Sequence, residues 1–420
     1  MTKHVTRLAF MASLALLLVA LPLLAAACGD DDEEEKTPAA EEKEITIGGI
    51  FSLTGVAASA TARGFELFSG MVKYINEVEG GIDGIKIKLV WADDKYDPAT
   101  AVIAAKRLRD RHHPILWIVQ NDSLAFPAKD MFERDKTPLL TSTAYVPEIY
   151  SPPGMFFNMS GCEANIFTGV VKWVLQDYEA SGGVGRPKLG TLHWDAPFGN
   201  AHKLGNAYKW AQEHGVDIVE RTYPMMALDI RPHLLALADE EVDYIYVVGV
   251  LTDVTLLVRD ARATGLWDKI KFVHNVGLLP YDLLEVVGDQ AEGLYAVAYT
   301  PTWADGLPAH REWAKVAEWV GFKPRRYDQA GYYSMKLVLT ALLRQAIADV
   351  GFEDLDGEAL YNAFQKLRHV DTNGIFYDAS WGPDRRIGLS GIKIKQYTKT
   401  ETVSVTDWIE TTNIFEGKEW

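Results

Sequence analysis

Short apolar segments alternate with longer amphipathic ones from Ile45 onward, and this rhythm restricts the fold more than any other feature. Ile45–Phe51 reads as a buried strand. Thr61–Val78 places Phe65, Phe68, Val72 and Ile75 at helical spacing and stops at Gly80-Gly81. Ile85–Trp91 is a second strand, with Ile85, Ile87 and Leu89 alternating against Lys86 and Lys88. A helix over Pro98–Arg109 opens on a proline, whose missing N–H costs nothing in a first turn. Ile115–Val119 and Pro138–Leu140 read as strands, with a helix over Ala125–Arg134 between them. The rhythm then restarts. Strands are expected at Leu189–Trp194, Asp217–Arg221, Tyr244–Val250, Ile270–His274 and Gly293–Tyr299. Helices are expected at Ile166–Tyr178, Ala201–Glu213, Ile230–Glu240, Val254–Thr264, Ala309–Val320 and Gln329–Ala348. Such alternation predicts an α/β protein whose parallel sheets are covered on both faces. Two series predict two doubly wound lobes, and 420 residues exceed what one ordinary core holds.

Open parallel sheets bind ligands at the carboxyl ends of their strands. That rule selects the loops Ser52–Ala60, Gln120–Ser123, Thr141–Tyr145, His193–Phe198, Gly249–Asp253 and His274–Gly277. A net charge of −16 argues against nucleic acid as a partner.

The amino terminus carries a different signal. Lys3 and Arg7 precede an apolar run from Leu8 to Leu24, followed by Ala25-Ala26-Ala27-Cys28. A cationic start, an apolar stretch and a small-residue exit describe a secretory signal over residues 1–27. A Cys directly after the small residues resembles the lipobox of bacterial lipoproteins, although Ala25 replaces the more usual Leu. The resemblance implies a lipidated Cys28; plain cleavage after Ala27 and an uncleaved anchor are the alternatives. Residues 28–44 then form a tether. Asp30-Asp31-Asp32-Glu33-Glu34-Glu35 self-repels and stays extended, and it lacks the turn glycine and ligand spacing of a calcium loop. With Cys28 lipidated, Cys162 has no disulfide partner, since the chain has two cysteines.

The strand-end loops bring a family into view. Gly48-Gly49-Ile50-Phe51-Ser52-Leu53-Thr54-Gly55, Asn76 before Gly80-Gly81-Ile82-Asp83-Gly84, Asp93-Asp94 and Asp97-Pro98 resemble the leucine/isoleucine/valine-binding proteins. These are type I periplasmic binding proteins of ABC importers. Pro127-Ala128, Pro138, Thr141, Pro147-Glu148, Phe198-Gly199, Asp243-Tyr244-Ile245-Tyr246, Gly249, Ala291-Glu292-Gly293-Leu294 and Val370-Asp371-Thr372 before Gly374 continue the similarity over the chain after the tether. The resemblance implies a three-segment hinge joining residues 45–160 plus 300–370 to residues 161–299 plus 371–420. It implies capture of a small solute in the cleft, hinge closure, presentation to an ABC permease, no cofactor, and no chemistry. It further implies a monomer on the outer face of the cell membrane or in the periplasm, held to the membrane by its lipid.

Site residues follow from the same resemblance. The first lobe would hold a ligand carboxylate at Asp122 or Ser123 and at Thr141–Thr143, helped by a helix N-terminus after Ser123. Ser123 and Thr143 are the donors. Asp122 either caps that helix or faces the cleft and selects a cationic or hydroxylated solute. The second-lobe positions that meet an ammonium in amino-acid binders carry Val276 and Val250 here. Asp253 is the replacement charge one turn further on, or a cap for its helix. Asn275 offers a neutral hydrogen bond, and Tyr145, Trp194 and Phe198 offer rings for a planar or apolar ligand. These departures favour a small carboxylate, aromatic acid or amide over plain leucine. Trp381-Gly382-Pro383-Asp384-Arg385-Arg386 resembles a C-terminal signature of the family's non-amino-acid branch.

Rival functions find less support. A hydrolase lacks a Gly-x-Ser-x-Gly elbow beside His193 or Ser123. His112-His113 lacks the helical ligand spacing of a metal site, and Gly182–Gly185 lacks the Lys-Ser/Thr of a phosphate loop. A ligand-sensing ectodomain that signals through a separate membrane protein is the alternative of the same fold. In Glu312–Val320, the stripe Trp313, Val316, Trp319, Val320 is expected as core, or as a docking patch if exposed.

Overall fold

The computed structural model describes residues 42–55, 58–119, 124, 127–141, 154–159, 161–275, 280–301, 305–321 and 331–415. Strands β1 (Glu44–Phe51), β2 (Lys86–Asp93), β3 (Leu116–Val119), β4 (Leu139–Thr141) and β5 (Phe156–Asn158) form one sheet in the order β2-β1-β3-β4-β5. All its pairings are parallel. The period of two along a strand divides its side chains between two cores. Leu116 and Ile118 pack with Ile47, Phe68, Met71 and Trp313 on one face. Trp117 and Val119 pack with Ile50, Ala101, Ala105 and Phe132 on the other. Each such fully buried side chain is worth about 1.5–3 kcal/mol of apolar transfer, which explains why these strands read as unbroken apolar runs.

A second sheet has the order β12-β11-β10-β9-β8-β6-β7. It contains β6 (Lys188–Trp194), β7 (Asp217–Tyr223), β8 (Tyr244–Val248), β9 (Lys271–His274), β10 (Tyr295–Ala298), β11 (Gly391–Tyr397) and β12 (Thr402–Ser404), with β13 (Ile409–Glu410) on β11. From β7 to β10 the pairing is parallel. The carboxyl-terminal strands then add antiparallel pairs, so this sheet is mixed. The two sheets with their helices make the doubly wound, two-lobed α/β architecture, and the chain passes between them after β5, after β10 and before β11. Ile375, Phe376, Ala379, Trp381 and Leu389 pack in the core of the first sheet, before that last passage.

The passages are braced against one another. Asn158, the last residue of β5, donates its N–H to Arg386 O (2.7 Å) and accepts from Gly388 N–H (3.0 Å). Its carbonyl also accepts from the Trp381 indole N–H at 2.9 Å, and Trp381 is fully buried. The Arg386 guanidinium lies over Phe157 at 4.4 Å. The Trp381–Arg386 motif is thus hinge scaffolding. At the second passage Lys395 Nζ meets Asp305 Oδ2 at 2.5 Å with no side-chain exposure, fastening that segment to β11.

One expected helix is broken. Ala201–Glu213 is a 3-10 turn over Ala201–Asn206 followed by a helix over Ala207–Glu213. Gly205 and Asn206 both have left-handed backbone, at φ 61° and 64°. A Cβ on Gly205 would stand 2.6 Å from the Phe415 ring, so the break lets the carboxyl-terminal segment pass. The helix expected at Ile166 begins earlier and spans Glu163–Ala180, with its first dozen residues mostly buried. In helix Pro308–Val320, Trp313 and Val316 are core, whereas Trp319 is 44% exposed and touches Tyr74 edge-on. His112 ends the helix Pro98–His112, and His113 closes it with left-handed backbone, its N–H on Arg109 O. No described helix is long and apolar enough to cross a membrane.

Candidate ligand-binding site

The family-like motifs of the first sheet organise its strand ends. Asp93 sits at the end of β2 and accepts from Leu53 N (2.9 Å), Thr54 N (3.3 Å), Thr54 Oγ1 (2.6 Å) and Lys95 N (3.0 Å). These donors outweigh partial burial and hold its carboxyl below the usual range. Ser52 donates to Asp94 at 2.5 Å beneath the same loop. Asp97 caps helix Pro98–His112 by accepting from Thr100 N at 2.7 Å. The Asn76 side chain pairs with Ile87 N and O as a strand would. Thr141 is buried at the end of β4, and its carbonyl accepts from Met159 N–H at 2.9 Å. Asp122, Ser123, Thr143, Tyr145 and Val276, with Cys28, lie outside the described residues.

The described half of the site is a rim along the second sheet. Trp194, Tyr223, Val250 and Asn275 stand at or just beyond the carboxyl ends of β6, β7, β8 and β9. Gly199 lets the chain fold back after β6, because a Cβ there would lie 2.1 Å from Trp194 O. This turn brings Phe198 to Trp194, with ring centroids 5.9 Å apart at 58°. Both rings are half-buried. Val250 is 38% exposed, an apolar position on the rim.

Asp253 is buried and accepts three hydrogen bonds. Oδ2 accepts from Val250 N–H at 2.9 Å, stapling the first turn of helix Leu251–Ala263. Oδ1 accepts from the Trp194 indole N–H at 2.9 Å and the Tyr223 hydroxyl at 3.1 Å. Burial raises its pKa against these donors. Its carboxylate therefore orients Trp194, and it stands at the third helical position rather than at the cap.

Asn275 is buried, and Oδ1 accepts from Gly249 N–H at 3.3 Å, joining the ends of β8 and β9. Its Nδ2 is buried without a partner, as are Tyr246 Oη and Glu163 Oε2. Asn275 and Tyr246 face the Glu163 carboxyl and pull its pKa down, but burial dominates and pushes it up to about 7. The sequence reading missed Glu163. Its signal was a lone acid at a helix start whose neighbours Cys162, Ala164, Ile166 and Phe167 are otherwise apolar.

Behind Trp194 runs a polar layer, also unforeseen. His193 Nδ1 faces Trp194 O at 2.8 Å and Nε2 faces Glu220 Oε1 at 2.9 Å. Lys203 Nζ reaches the same oxygen at 2.5 Å. Two acceptors on one ring favour the doubly protonated imidazolium, while burial, the larger effect, pulls the His193 pKa down. His202 lies between Gly199 O (2.8 Å) and the Tyr208 hydroxyl (2.7 Å), an arrangement that suits a neutral ring. These groups fix the Trp194–Phe198 turn from within.

A two-lobed fold with a hinge of three strands and a polar-aromatic rim defines a ligand-binding class. The sequence profile of the Periplasmic binding protein family matches residues 44–391, and the chain belongs to that family. It is 22% identical over 343 residues to the Leu/Ile/Val-binding protein of Escherichia coli K12, covering 79% of this chain and 85% of the relative. Its fold is similar to that of a branched-chain amino acid ABC transporter protein from Thermus thermophilus with bound valine. That match has a TM-score of 0.72 and 19% identity, over 89% of this chain and 98% of the other. It is also similar to a fatty acid ABC transporter substrate-binding protein from Thermomonospora curvata, with a TM-score of 0.70 and 21% identity over 91% and 96% of the two chains.

Proposed function

We propose that this chain is the extracytoplasmic solute-binding lipoprotein of a branched-chain-amino-acid-type ABC importer. It captures a small organic carboxylate, amino acid or amide between its lobes, closes by hinge motion, and presents the closed form to a permease. It performs no chemistry. Cys28 carries the lipid and the acidic stretch after it is the spacer. One lobe comprises residues 45–160 and the stretch from 300 to about 389; the other comprises 161–299 and the residues from 391. Packing of Ile375, Phe376, Ala379, Trp381 and Leu389 in the first core supports a third hinge segment after Leu389 in place of one at Val370–Asp371.

The observation that carries this reading is the rim itself. Trp194 is locked by Asp253, Phe198 is turned against it by Gly199, and Asn275 follows β9 on the same edge of the sheet, at the strand ends where such folds bind ligands. The first-lobe contacts are assigned to Ser123, Thr141, Thr143, Asp122 and Tyr145. A thermal-shift panel tests the proposal, since a ligand at a hundredfold excess over Kd stabilises by about 2.7 kcal/mol. Amino acids, aliphatic carboxylates, aromatic carboxylates and their amides form the panel. A rise in Tm with at least one member is expected. No rise across the whole panel would reject the function.

A further inference from the structure

We infer that the open groove between helix Glu163–Ala180 and strand β13 is a second binding site, built for a neutral saccharide. The groove holds about 500 Å³, within the range of small-molecule sites. Lys172 and Gln176, one turn apart, form its helix wall, and Thr406–Glu410 forms the other. It is distinct from the Trp194–Phe198 rim. β13 pairs with β11, and β11 stands four strands from β6 in the sheet, about 19 Å at the usual strand spacing. Lys172 Nζ donates to Glu410 O at 2.7 Å, which ties the two walls together. Thr406 Oγ1 accepts from Ile394 N–H at 2.9 Å and keeps its own proton to donate. Trp408 is half-buried, with Lys393 Nζ 5.2 Å from its ring centroid and the Tyr377 ring 6.1 Å away at 43°. Gly391 seats that tyrosine, since a Cβ there would stand 2.3 Å from Tyr377 Cβ.

The lining selects among ligand classes. Around the indole, Lys172 and Lys393 stand against Asp407 and Glu410, so the formal charges cancel. A phosphate or carboxylate meets no net positive field here, and an ammonium no net negative one. A lipid chain needs a continuous apolar lining, whereas the polar residues of this groove outnumber Trp408 and Ile409. What remains is a neutral ligand that carries polar groups around one apolar face. The negative face of an indole attracts the weakly positive C–H bonds of such a ring. Gln176 and Asp407 are exposed, and they offer an amide that donates and accepts and a carboxylate that accepts. Thr406 and the remaining Lys172 N–H groups donate. A pyranose meets all of these groups at once, because its hydroxyls both donate and accept around an apolar ring.

The test is saturation-transfer NMR with calorimetric titration of the chain. The probes are glucose, N-acetylglucosamine, cellobiose and N,N′-diacetylchitobiose, with glucose 6-phosphate and glucosamine as charged controls. At least one neutral saccharide should bind saturably and more tightly than either control. Trp408→Ala should weaken it at least tenfold, whereas Phe198→Ala, at the rim, should leave it within about twofold. Gln176→Trp fills the groove from an exposed helix position and should abolish binding, so it decides the matter if Trp408→Ala does not fold. Failure of every neutral sugar to bind overturns the inference. So does a sugar whose affinity falls in Phe198→Ala but not in Trp408→Ala or Gln176→Trp; that sugar occupies the site between the lobes, an outcome that leaves the binding function standing. A charged control that binds more tightly than glucose overturns the assignment to a neutral ligand.

Discussion

Burial holds the Glu163 pKa at about 7, against an ordinary value of 4.5, and this has a measurable consequence for the ligand-free protein. Its folded-state pKa is raised, so the fold favours the protonated acid. The native state then binds more protons than the unfolded chain between about pH 4.5 and pH 7, and stability falls as pH rises through that window. At about 1.36 kcal/mol per pH unit, ionised Glu163 destabilises the ligand-free protein by about 3 kcal/mol above pH 7. Glutamine has nearly the shape of the protonated acid and does not ionise. At pH 5 the variant should exceed wild type by less than about 1 kcal/mol; at pH 8 it should melt higher by several degrees, about 3 kcal/mol in a protein of this size. Melting both proteins without ligand at half-unit steps from pH 5 to pH 8 isolates this group, because every other titration is common to the pair. A constant difference in Tm over the range would refute the reasoning, as would a wild type that gains on the variant with rising pH.

Other consequences follow from the same geometry. Phe198→Ala should weaken binding of the best panel ligand by more than about 1 kcal/mol in a calorimetric titration while leaving Tm nearly unchanged, because the half-buried ring packs on Trp194 at the rim. Asp253→Asn turns an amide donor toward at least one of three donors at Trp194, Tyr223 and Val250 and should cost about 2 kcal/mol in denaturant unfolding. It should also shift the tryptophan fluorescence as the indole N–H loses its partner. Lys395→Met strands the Asp305 carboxylate and should cost about 3 kcal/mol in the same assay; adding Asp305→Asn should restore most of it.

Both sheets were legible because their parallel strands are buried on two faces and leave unbroken apolar runs such as Leu116–Val119 and Tyr244–Val248. The antiparallel edge was not. Gly391–Tyr397 carries Lys393 and Lys395 among its apolar residues, and Lys395 is buried only because Asp305, 90 residues away, pairs with it. The broken helix at Gly205 has the same cause. Its residues have helical pattern, but Phe415 and Ile414 arrive from the far end of the chain and occupy the space. Of the candidate site, Trp194, Phe198, Asp253 and Asn275 were reached by asking which residues follow a strand. The same rule passes over Glu163 because the strand before it, β5 (Phe156–Asn158), is only three residues long and does not read as a strand in the sequence.

Asp253 and Glu163 show why proximity to a strand end is a weaker guide than hydrogen-bond accounting. Both are buried acids whose neighbours lie on the second sheet. Asp253 accepts three donors from its own lobe, and displacing any of them to admit a ligand nitrogen would forfeit a bond already made. A hydrogen bond to a charged group is worth about 1.5–3 kcal/mol, and that loss would be set against any gain in binding. Glu163 differs in that one of its oxygens, Oε2, is buried without a partner. Tyr246 and Asn275 are close enough to pull its pKa down, yet they leave Oε2 unpaired. Burial of that carboxyl makes the protein less stable above pH 7. Counting donors and acceptors atom by atom therefore separates two acids that their position along the chain does not.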